Sequence, residues 1–276
     1  MPSSYSPLRY PGGKAQLYNY VLKVLESNDL TGKTYFEPFA GGAGLALRLL
    51  FSNKVKRIII NDLDPAIYAI WNCILNNTEE FCNKIQNVEI SVAEWDRQKH
   101  IYEHSMFPDI NLAFSTFFLN RTNRSGVIKG GIIGGRAQDG LYAIDARFNK
   151  QALITKIRAI AAKKDQIVLT NKDARELIDS DFLQKYRNVF IYFDPPYVIK
   201  GSQLYKNSFT EQDHINLYKS ISKCKRKWIV TYDVCNFIED LYSKYRGTYI
   251  ELNYSVSTNT KANEAIYFSK NLIMPK

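Results

Sequence analysis

Short apolar segments alternate with segments of helical periodicity along this 276-residue chain, and this alternation constrains the fold most strongly. The apolar segments predict five β-strands, because strands buried on both faces read as short, continuous apolar runs. They span residues 34–39, 55–61, 166–170, 188–193 and 228–232. Apolar residues recur at helical spacing over residues 16–25, 45–51, 65–75 and 211–223.

This order of strands and helices predicts an α/β fold with a doubly wound, Rossmann-like sheet. Residues 249–254 and 265–269 alternate between apolar and polar side chains, which predicts an antiparallel hairpin near the end of the chain. Residues 77–164 interrupt the rhythm with helical and loop character. We therefore expect one domain formed by residues 1–76 and 165–276, and a mostly helical domain inserted at 77–164.

Basic residues are concentrated in this predicted insert. The chain has 37 Lys and Arg against 27 Asp and Glu, a net charge of +10. Residues 120–164 contain ten basic and two acidic residues, and therefore carry +8 of that charge, together with six of the fourteen glycines. A basic, glycine-rich segment suits a nucleic-acid backbone, although a solvated charged face explains the charge alone equally well.

Composition and spacing argue against several other classes of protein. Hydrophobic residues make up 45% and charged residues 23%, unlike a disordered chain. No apolar run approaches the roughly 18 residues of a membrane span, and the first residues lack a signal-peptide pattern. The four cysteines and three histidines match no familiar zinc spacing, so we predict no metal site and free thiols in a reducing compartment.

Three motifs follow predicted strands. The first is the turn Gly41-Gly42-Ala43-Gly44, which would admit a ligand to bare backbone beside a helix N-terminus, but which a tight structural turn explains equally well. It is not a P-loop, since neither lysine nor a hydroxyl residue follows Gly44.

The second motif is Asn61-Asp62-Leu63-Asp64, at the end of the next predicted strand. An acidic residue at such a strand tip commonly binds ribose hydroxyls, and Asp62 lies 18 positions after Gly44. Asp64 precedes a proline and fits an N-cap of the following helix, which leaves Asp62 for a ligand.

The third motif is Asp194-Pro195-Pro196-Tyr197, directly after the apolar segment 188–193. It combines a carboxylate, two rigid prolines and an aromatic ring at the end of a strand, where α/β sheets bind ligands. On its own the tetrapeptide favours a function only slightly over an ordinary turn, since Asp-Pro-Pro also occurs in loops.

In this order the three motifs resemble those of the Dam-type family of DNA adenine methyltransferases, in its alpha arrangement. That arrangement has the cofactor motifs first, a target-recognition insert next and the catalytic tetrapeptide last. Further matching segments are Arg9-Tyr10-Pro11-Gly12-Gly13-Lys14, Leu119-Asn120-Arg121, Asn207-Ser208-Phe209-Thr210, and Ser257 and Asn259 with Lys261 and Glu264.

The resemblance implies S-adenosylmethionine as the cofactor and an S-adenosylmethionine-dependent methyltransferase sheet as the fold. The residues that it implies for cofactor binding are Tyr10, Lys14, Phe39, Gly41, Gly44, Asp62, Asp173 and Asp194. Lys14 would bind the methionine carboxylate, Asp62 the ribose, and Asp173 the region of the adenine. Tyr10 and Phe39 would pack against the sulfonium or the adenine.

The catalytic motif implied by the resemblance is Asp194-Pro195-Pro196-Tyr197. Asp194 and the Pro195 carbonyl would accept hydrogen bonds from the adenine amine, whose lone pair is otherwise delocalised into the ring. The amine could then attack the sulfonium methyl group. Pro196 would stiffen the loop, and Tyr197 would stack on an adenine turned out of the duplex.

DNA contacts are implied for the insert and for the N-terminal motif, at Arg9, Asn120, Arg121, Arg124, Ser125, Val127 and Lys129. The loop departs from the best-known members of the family, because Arg124 stands at the usual place of an aromatic wedge and Lys129 at that of a base-reading arginine. Lysine lacks the bidentate fork of arginine, so the sequence does not support recognition of GATC.

We therefore expect a cytoplasmic, site-specific adenine methyltransferase that acts on double-stranded DNA, in a restriction–modification, phage or orphan methylation system. Residues 77–164 would be its target-recognition domain. One alternative is a methyltransferase of related fold that acts on RNA or on protein glutamine, although protein-glutamine enzymes usually carry Asn in place of Asp194. The other is a nucleic-acid-binding homologue without catalysis, against which the intact tetrapeptide counts.

Overall fold

The computed structural model describes residues 5–9, 17–199, 209–256 and 258–275, with only the backbone described at 252–256 and 258–262. The chain divides into two compact units. One, here called the sheet unit, is formed by Lys14–Leu63 and Gln166–Lys276. The other, here called the helical unit, is formed by Met1–Gly13 and Asp64–Asp165.

The sheet unit contains a seven-stranded sheet whose strand order is β3-β2-β1-β4-β5-β7-β6. The first five strands are parallel to one another, whereas β7 is antiparallel to both β5 and β6. The strands are β1 (Thr34–Glu37), β2 (Arg57–Asn61), β3 (Ile167–Thr170), β4 (Val189–Phe193), β5 (Lys227–Asp233), β6 (Arg246–Val256) and β7 (Thr258–Phe268).

Among the described residues, five α-helices belong to the same unit: α1 (Tyr18–Ser27), α2 (Gly44–Phe51), α8 (Ala174–Asp179), α9 (Glu211–Lys223) and α10 (Asn236–Leu241). The strands form the centre of its core because their side chains are apolar on both faces, as in β4, where all five residues are buried. Phe36, Ile191 and Trp228 belong to one buried cluster with residues of α8 and α9. The predicted α/β fold, its five parallel strands and its terminal hairpin are therefore confirmed.

The chain reverses its direction of winding across the sheet between β1 and β4. From β1 it proceeds outward through β2 to β3, and it then returns to place β4 on the other side of β1. Open α/β sheets bind ligands at such a switch point, beyond the carboxyl ends of the strands. In this sheet the two ends that meet there are those of Glu37 and Phe193.

The helical unit is formed around a central helix, α6 (Ile110–Thr122), in which residues 112–120 are all buried. Such a helix needs neighbours on every side, and α3 (Pro65–Asn76), α4 (Thr78–Asn87) and α5 (Val92–His104) pack against it. Helix α7 (Lys150–Ala161) packs against α3 and α4. This unit begins before residue 77, the predicted boundary, because the packing of α3 against α6 and α7 joins that helix to it.

Three observations concern membrane spans, cysteine pairing and metal sites. No helix in the described part of the chain is long and apolar enough to cross a membrane. Cys73, Cys82, Cys224 and Cys235 are free thiols. Among the described residues, no three His, Cys, Asp or Glu side chains are arranged as ligands of one metal ion.

Candidate active site

The glycine turn connects the end of β1 with the start of α2. Gly41 and Ala43 both have φ of 46°, in the left-handed region that glycine adopts easily and that alanine rarely adopts. The Gly41 backbone N–H donates a hydrogen bond of 2.8 Å to Asp62 Oδ2. The turn therefore has a strained backbone at Ala43 and is held at Gly41 by the carboxylate at the tip of β2.

Asn61 joins the ends of three neighbouring strands. Its Nδ2 donates to the backbone carbonyls of Pro38 and Lys172, both at 2.9 Å, and its Oδ1 accepts from the Lys172 backbone N–H at 3.0 Å. The Thr170 hydroxyl also donates to Oδ1, at 2.8 Å. This role of Asn61 could not be predicted from its position in the motif. Asn61 is buried at the end of β2, where its hydrogen bonds hold the ends of β1, β2 and β3 together.

The acidic residues near Asn61 have different partners. Asp64 caps α3, because its side chain accepts a hydrogen bond of 2.9 Å from the Ala66 backbone N–H and Pro65 begins the helix, as predicted. Asp62 is half-buried at the tip of β2 and bonded to the glycine turn. Asp173 caps α8 through the Arg175 backbone N–H, and the Arg175 guanidinium holds the pKa of Asp173 below its ordinary value.

Asp194 lies directly after β4, half-buried at the switch point. Its Oδ1 accepts a hydrogen bond of 3.1 Å from the Thr231 hydroxyl. The following loop is attached to the end of β5, since the backbone N–H groups of Val198 and Ile199 donate to Asp233 at 3.1 and 2.8 Å. Neither Thr231 nor Asp233 was predicted, because their proximity depends on the pairing of β4 with β5.

Tyr197 is only 7% exposed, and its hydroxyl donates a hydrogen bond to Glu264 on β7. Glu264 is itself buried, opposite Asp233 in the register of β5 and β7. The predicted stacking residue thus has its polar end fixed inside the protein. Pro195 is buried and Pro196 half-buried, which leaves little freedom to the backbone between Asp194 and Tyr197.

Glu37 is a buried carboxyl group at the end of β1. Its Oε1 accepts hydrogen bonds from the Tyr35 hydroxyl at 3.0 Å and from the Ala46 backbone N–H at 3.1 Å. Burial raises the pKa of Glu37 to about 8, and the charge of Asp194 acts in the same direction. The raised pKa means that Glu37 gives up its proton less readily than an exposed carboxyl group.

Aromatic side chains form a row beside the glycine turn. The ring of Phe39 contacts that of Phe209 edge-on at 5.9 Å, and Phe209 lies 5.3 Å from the ring of His214 on α9. Burial lowers the pKa of His214, whose Nδ1 lies 3.2 Å from the Tyr232 hydroxyl. The half-buried Phe39 therefore has a supported position between the turn and the start of α9.

Some of the predicted residues lie outside those that the structure describes. These are Tyr10 and Lys14 of the cofactor motif, the matching residues Asn207, Ser208 and Ser257, and the side chains of Asn259 and Lys261.

In the helical unit, Asn120 fastens Arg9 to the predicted recognition loop, here residues 123–131. Its Oδ1 accepts from the Arg9 backbone N–H at 2.8 Å, and its Nδ2 donates to the carbonyls of Arg9 and Gly126 at 2.6 and 2.9 Å. Asn120 is 1% exposed. Direct contact of this side chain with DNA, as predicted, would require these bonds to break.

Gly126 lies against the backbone of Arg9 more closely than any other residue type would allow. Its φ is +76°, and a methyl group on its Cα would lie 2.4 Å from the Arg9 carbonyl oxygen. The Arg9 guanidinium in turn donates a hydrogen bond of 2.8 Å to the carbonyl of Asn123. Arg9 and the recognition loop are therefore held against each other by hydrogen bonds and close packing.

The Asn123 side chain braces the recognition loop from within. It accepts a hydrogen bond of 2.6 Å from Trp95 Nε1 and donates to the carbonyls of Val127 and Ile128 at 3.0 and 2.8 Å. Arg124 and Lys129 remain exposed, and Ser125 and Val127 are half-buried. Two cationic side chains are thus displayed on a loop with a fixed backbone.

A cationic cluster, formed by Arg9, Arg121, Arg147 and Lys156, lies in the same unit. Burial, together with the charges of Arg9 and Arg147, lowers the pKa of Arg121 to about 10. Lys156 has a lowered pKa from burial and from Arg121. No carboxylate among the described residues forms an ion pair with a member of the cluster. Cations that repel one another in this way would be stabilised by a bound anion.

A family model described as D12 class N6 adenine-specific DNA methyltransferase matches residues 10–257. The chain belongs to this family. It is an enzyme that uses S-adenosylmethionine to methylate the exocyclic amine of adenine in DNA.

Relatives of known function are similar at low identity. The type II methyltransferase M.MjaIII of Methanocaldococcus jannaschii is 22% identical over 241 residues, which cover 80% of each chain. The type II methyltransferase M.CviBI of Paramecium bursaria Chlorella virus NC1A is 23% identical over 228 residues, covering 80% of this chain and 81% of that one. The modification methylase StsI of Streptococcus sanguinis is 27% identical over 70% of this chain, but the match covers 29% of that protein.

Among solved structures, the rRNA methyltransferase aviRa from Streptomyces viridochromogenes superposes with a TM-score of 0.39 at 13% identity. The superposition covers 94% of this chain and 85% of that one. The strand order seen here, rather than this distant likeness, establishes the fold.

The residues at the switch point fit the cofactor of this family. Asp62 and Asp194 lie at the carboxyl ends of β2 and β4, on either side of β1, which ends beside the half-buried ring of Phe39. Carboxylates suit ribose hydroxyls and a cationic sulfonium, and an aromatic face suits a cation or an adenine. The left-handed backbone at Gly41 allows close approach to the turn.

Proposed function

We propose that this methyltransferase is of the Dam type, that it acts on double-stranded DNA in the cytoplasm, and that it belongs to a modification system. The relatives support the last point, since two are named type II methyltransferases and one a modification methylase. Support for the Dam type comes from the order of the motifs, with the cofactor motifs first and Asp194-Pro195-Pro196-Tyr197 after the basic segment.

Asp194 is the proposed acceptor of a hydrogen bond from the reacting adenine amine, together with the Pro195 carbonyl. The observation that supports this role most directly is the location of a carboxylate, oriented by Thr231, at the switch point of the sheet. Withdrawing the amine hydrogens toward these acceptors localises the nitrogen lone pair. Orientation and electrostatic stabilisation then accelerate the attack without a strong base.

The proposed cofactor site uses Tyr10, Lys14, Phe39, Gly41, Gly44, Asp62, Asp173 and Asp194. S-adenosylmethionine supplies an electrophilic methyl group on its sulfonium. Asp62 would bind the ribose, Asp173 would lie near the adenine, and Phe39 would pack against the cofactor. The bond between Asp62 and Gly41 supports this assignment, because it gives the turn and the ribose-binding carboxylate one fixed geometry.

The helical unit is the proposed DNA-recognition domain. Its recognition loop presents Arg124, Ser125, Val127 and Lys129 for contacts with base edges in a groove. The cationic cluster would bind a backbone phosphate, which would relieve the repulsion among its members. Asn120 would act through Arg9, whose backbone it holds, and Arg121 through the cluster.

The test is to express the chain in a host whose DNA lacks methylated adenine and to map modified bases at single-base resolution. Wild-type protein is expected to place N6-methyladenine at one defined duplex sequence, and Asp194→Ala to place none. Asp240→Ala, an exposed carboxylate on α10, serves as the matched control and should methylate normally.

Residual activity above about a tenth of wild type in Asp194→Ala, a barrier change of only ~1.4 kcal/mol, would exclude Asp194 as the acceptor. Methylation of single strands with no duplex activity would exclude double-stranded DNA as the substrate.

A further inference from the structure

Three side chains form a buried chain of hydrogen bonds that ends on the proposed catalytic carboxylate. The Tyr192 hydroxyl lies 2.9 Å from Thr231 Oγ1, and Thr231 Oγ1 lies 3.1 Å from Asp194 Oδ1. Tyr192 is 2% exposed and Thr231 is 0% exposed. These hydrogen bonds run between β4 and β5, two strands that are paired in parallel at this point.

The direction of the bonds follows from the number of hydrogens. A carboxylate only accepts, and each hydroxyl has one hydrogen to donate. Thr231 therefore donates to Asp194, which obliges Tyr192 to donate to Thr231. The other acceptor within reach of Thr231, the Phe193 carbonyl, is more distant at 3.5 Å. Burial keeps the pKa of Tyr192 well above its ordinary value, so its hydroxyl retains the hydrogen that this order requires.

The side chain of Thr231 is suited to hold an orientation. A β-branched residue on a strand has few allowed rotamers, so its hydroxyl has a stiff position. The terminal torsion of an aspartate is broad by comparison, and a free carboxylate would rotate. A fixed donor on Oδ1 restricts that rotation.

We propose that Thr231, itself directed by Tyr192, is a positioning residue that orients the Asp194 carboxylate toward the adenine amine. This inference rests on the proposed role of Asp194. Because the hydrogen bond acts on the geometry of the reacting complex, its loss should lower the rate of methyl transfer more than the affinity for cofactor or DNA.

The test compares variants of the full chain. Thr231→Val removes the hydroxyl and keeps the branched shape, whereas Thr231→Ser keeps the hydroxyl. Tyr192→Phe removes only the tyrosine hydroxyl that bonds to Thr231. Thr116→Val is the control, because Thr116 is also fully buried and its hydroxyl bonds to the Leu112 carbonyl in α6. Single-turnover methylation rates are measured against pH, with dissociation constants for cofactor and DNA and thermal midpoints.

Thr231→Val is expected to lose about 100-fold in rate, the cost of a small misplacement of a reacting group, with both dissociation constants unchanged. Its acidic pH limb should move to higher pH, because a donor to the charged form of Asp194 has been lost. Thr231→Ser should retain most of the rate, Tyr192→Phe should be intermediate, and Thr116→Val should change the thermal midpoint alone.

The inference is overturned if Thr231→Val keeps the wild-type rate and pH limb, or if Thr231→Ser is as slow as Thr231→Val. If Thr231→Val does not fold, Tyr192→Phe decides the question by whether its acidic limb moves. Asp194→Asn is measured in parallel. A wild-type rate in that variant would refute the proposed role of Asp194, and with it the role of Thr231. If Asp194→Asn is slow but Thr231→Val has a normal rate, only the positioning role of Thr231 is refuted.

Discussion

The Tyr197 hydroxyl donates a hydrogen bond to the Glu264 carboxylate, and both side chains are buried. The contact joins the proposed catalytic loop to β7, through a residue that lies 67 positions after Tyr197. The Tyr197 hydroxyl is thus engaged within the protein, and we propose that its aromatic face serves the substrate.

Tyr197→Phe is expected to lower the free energy of unfolding by about 1–3 kcal/mol, because a buried carboxylate loses a donor. It should keep much of the methylation activity, since the ring remains available for stacking. Tyr197→Ala should lose both stability and the extruded-adenine complex, for which stacking contributes about 1–3 kcal/mol. Chemical denaturation and methylation rates measure the two effects, and an equal loss of activity in both variants would assign the catalytic role to the hydroxyl.

Gly126→Ala is expected to destabilise the recognition loop, because alanine at φ +76° is strained by about 1–2 kcal/mol and its methyl group would displace Arg9. Gly131→Ala is the matched control, since a Cβ there meets nothing within 4 Å. Discrimination among DNA sites should weaken in the first variant only. Thermal denaturation and methylation rates on duplexes that differ by one base measure the outcome, and indistinguishable glycine variants would contradict the contact with Arg9.

Lys129→Ala and Arg147→Gln should weaken DNA binding in different ways. Lys129 is on the recognition loop, so its loss should alter the ranking of sites by roughly 1–3 kcal/mol per base contact. Arg147 belongs to the cationic cluster, so its loss should weaken all duplexes alike and reduce the salt slope by about one unit. Binding is measured on cognate and altered duplexes at several salt concentrations. If Lys129→Ala weakens binding to all duplexes equally, Lys129 does not recognise a base, and Arg9 or another residue does.

The buried carboxyl group of Glu37 should make the free energy of unfolding depend on pH in the protein without cofactor. Its pKa is about 8 in the folded chain against an ordinary 4.5, so unfolding releases a proton between these values. The contribution of Glu37 to the free energy of unfolding is therefore fully present below about pH 4.5. It falls as the pH rises toward 8, by up to ~1.4 kcal/mol per pH unit. Glu37→Gln should remove that slope in denaturation curves across the window, and parallel curves for the two proteins would argue against it.

The sheet was predictable because its strands are apolar on both faces and are separated by helices of clear periodicity. The ends of β1, β2 and β4 were also predictable as the candidate site, since Gly41, Asp62 and Asp194 each follow an apolar segment. These assignments needed only local sequence and the general rule that ligands bind at strand ends.

The partners of these residues were not predictable, because they depend on which strands become neighbours. Thr231 contacts Asp194 only because β5 pairs with β4, and Glu264 contacts Tyr197 only because β7 lies beside β5. Asn120 shows the converse, since a polar residue in a basic segment was predicted to contact DNA, whereas its amide is engaged inside the protein. Side-chain use of this kind is decided by tertiary packing.

The place of β7 in the sheet bears on what happens when protein synthesis stops early. This strand lies between β5 and β6, so β6 has no place in the sheet until β7 has left the ribosome. A chain terminated after the tetrapeptide would carry Asp194 and Tyr197 but neither Glu264 nor the strand that holds it. We expect such fragments to be unable to modify the genome of the cell that makes them, so that only a finished polypeptide marks DNA.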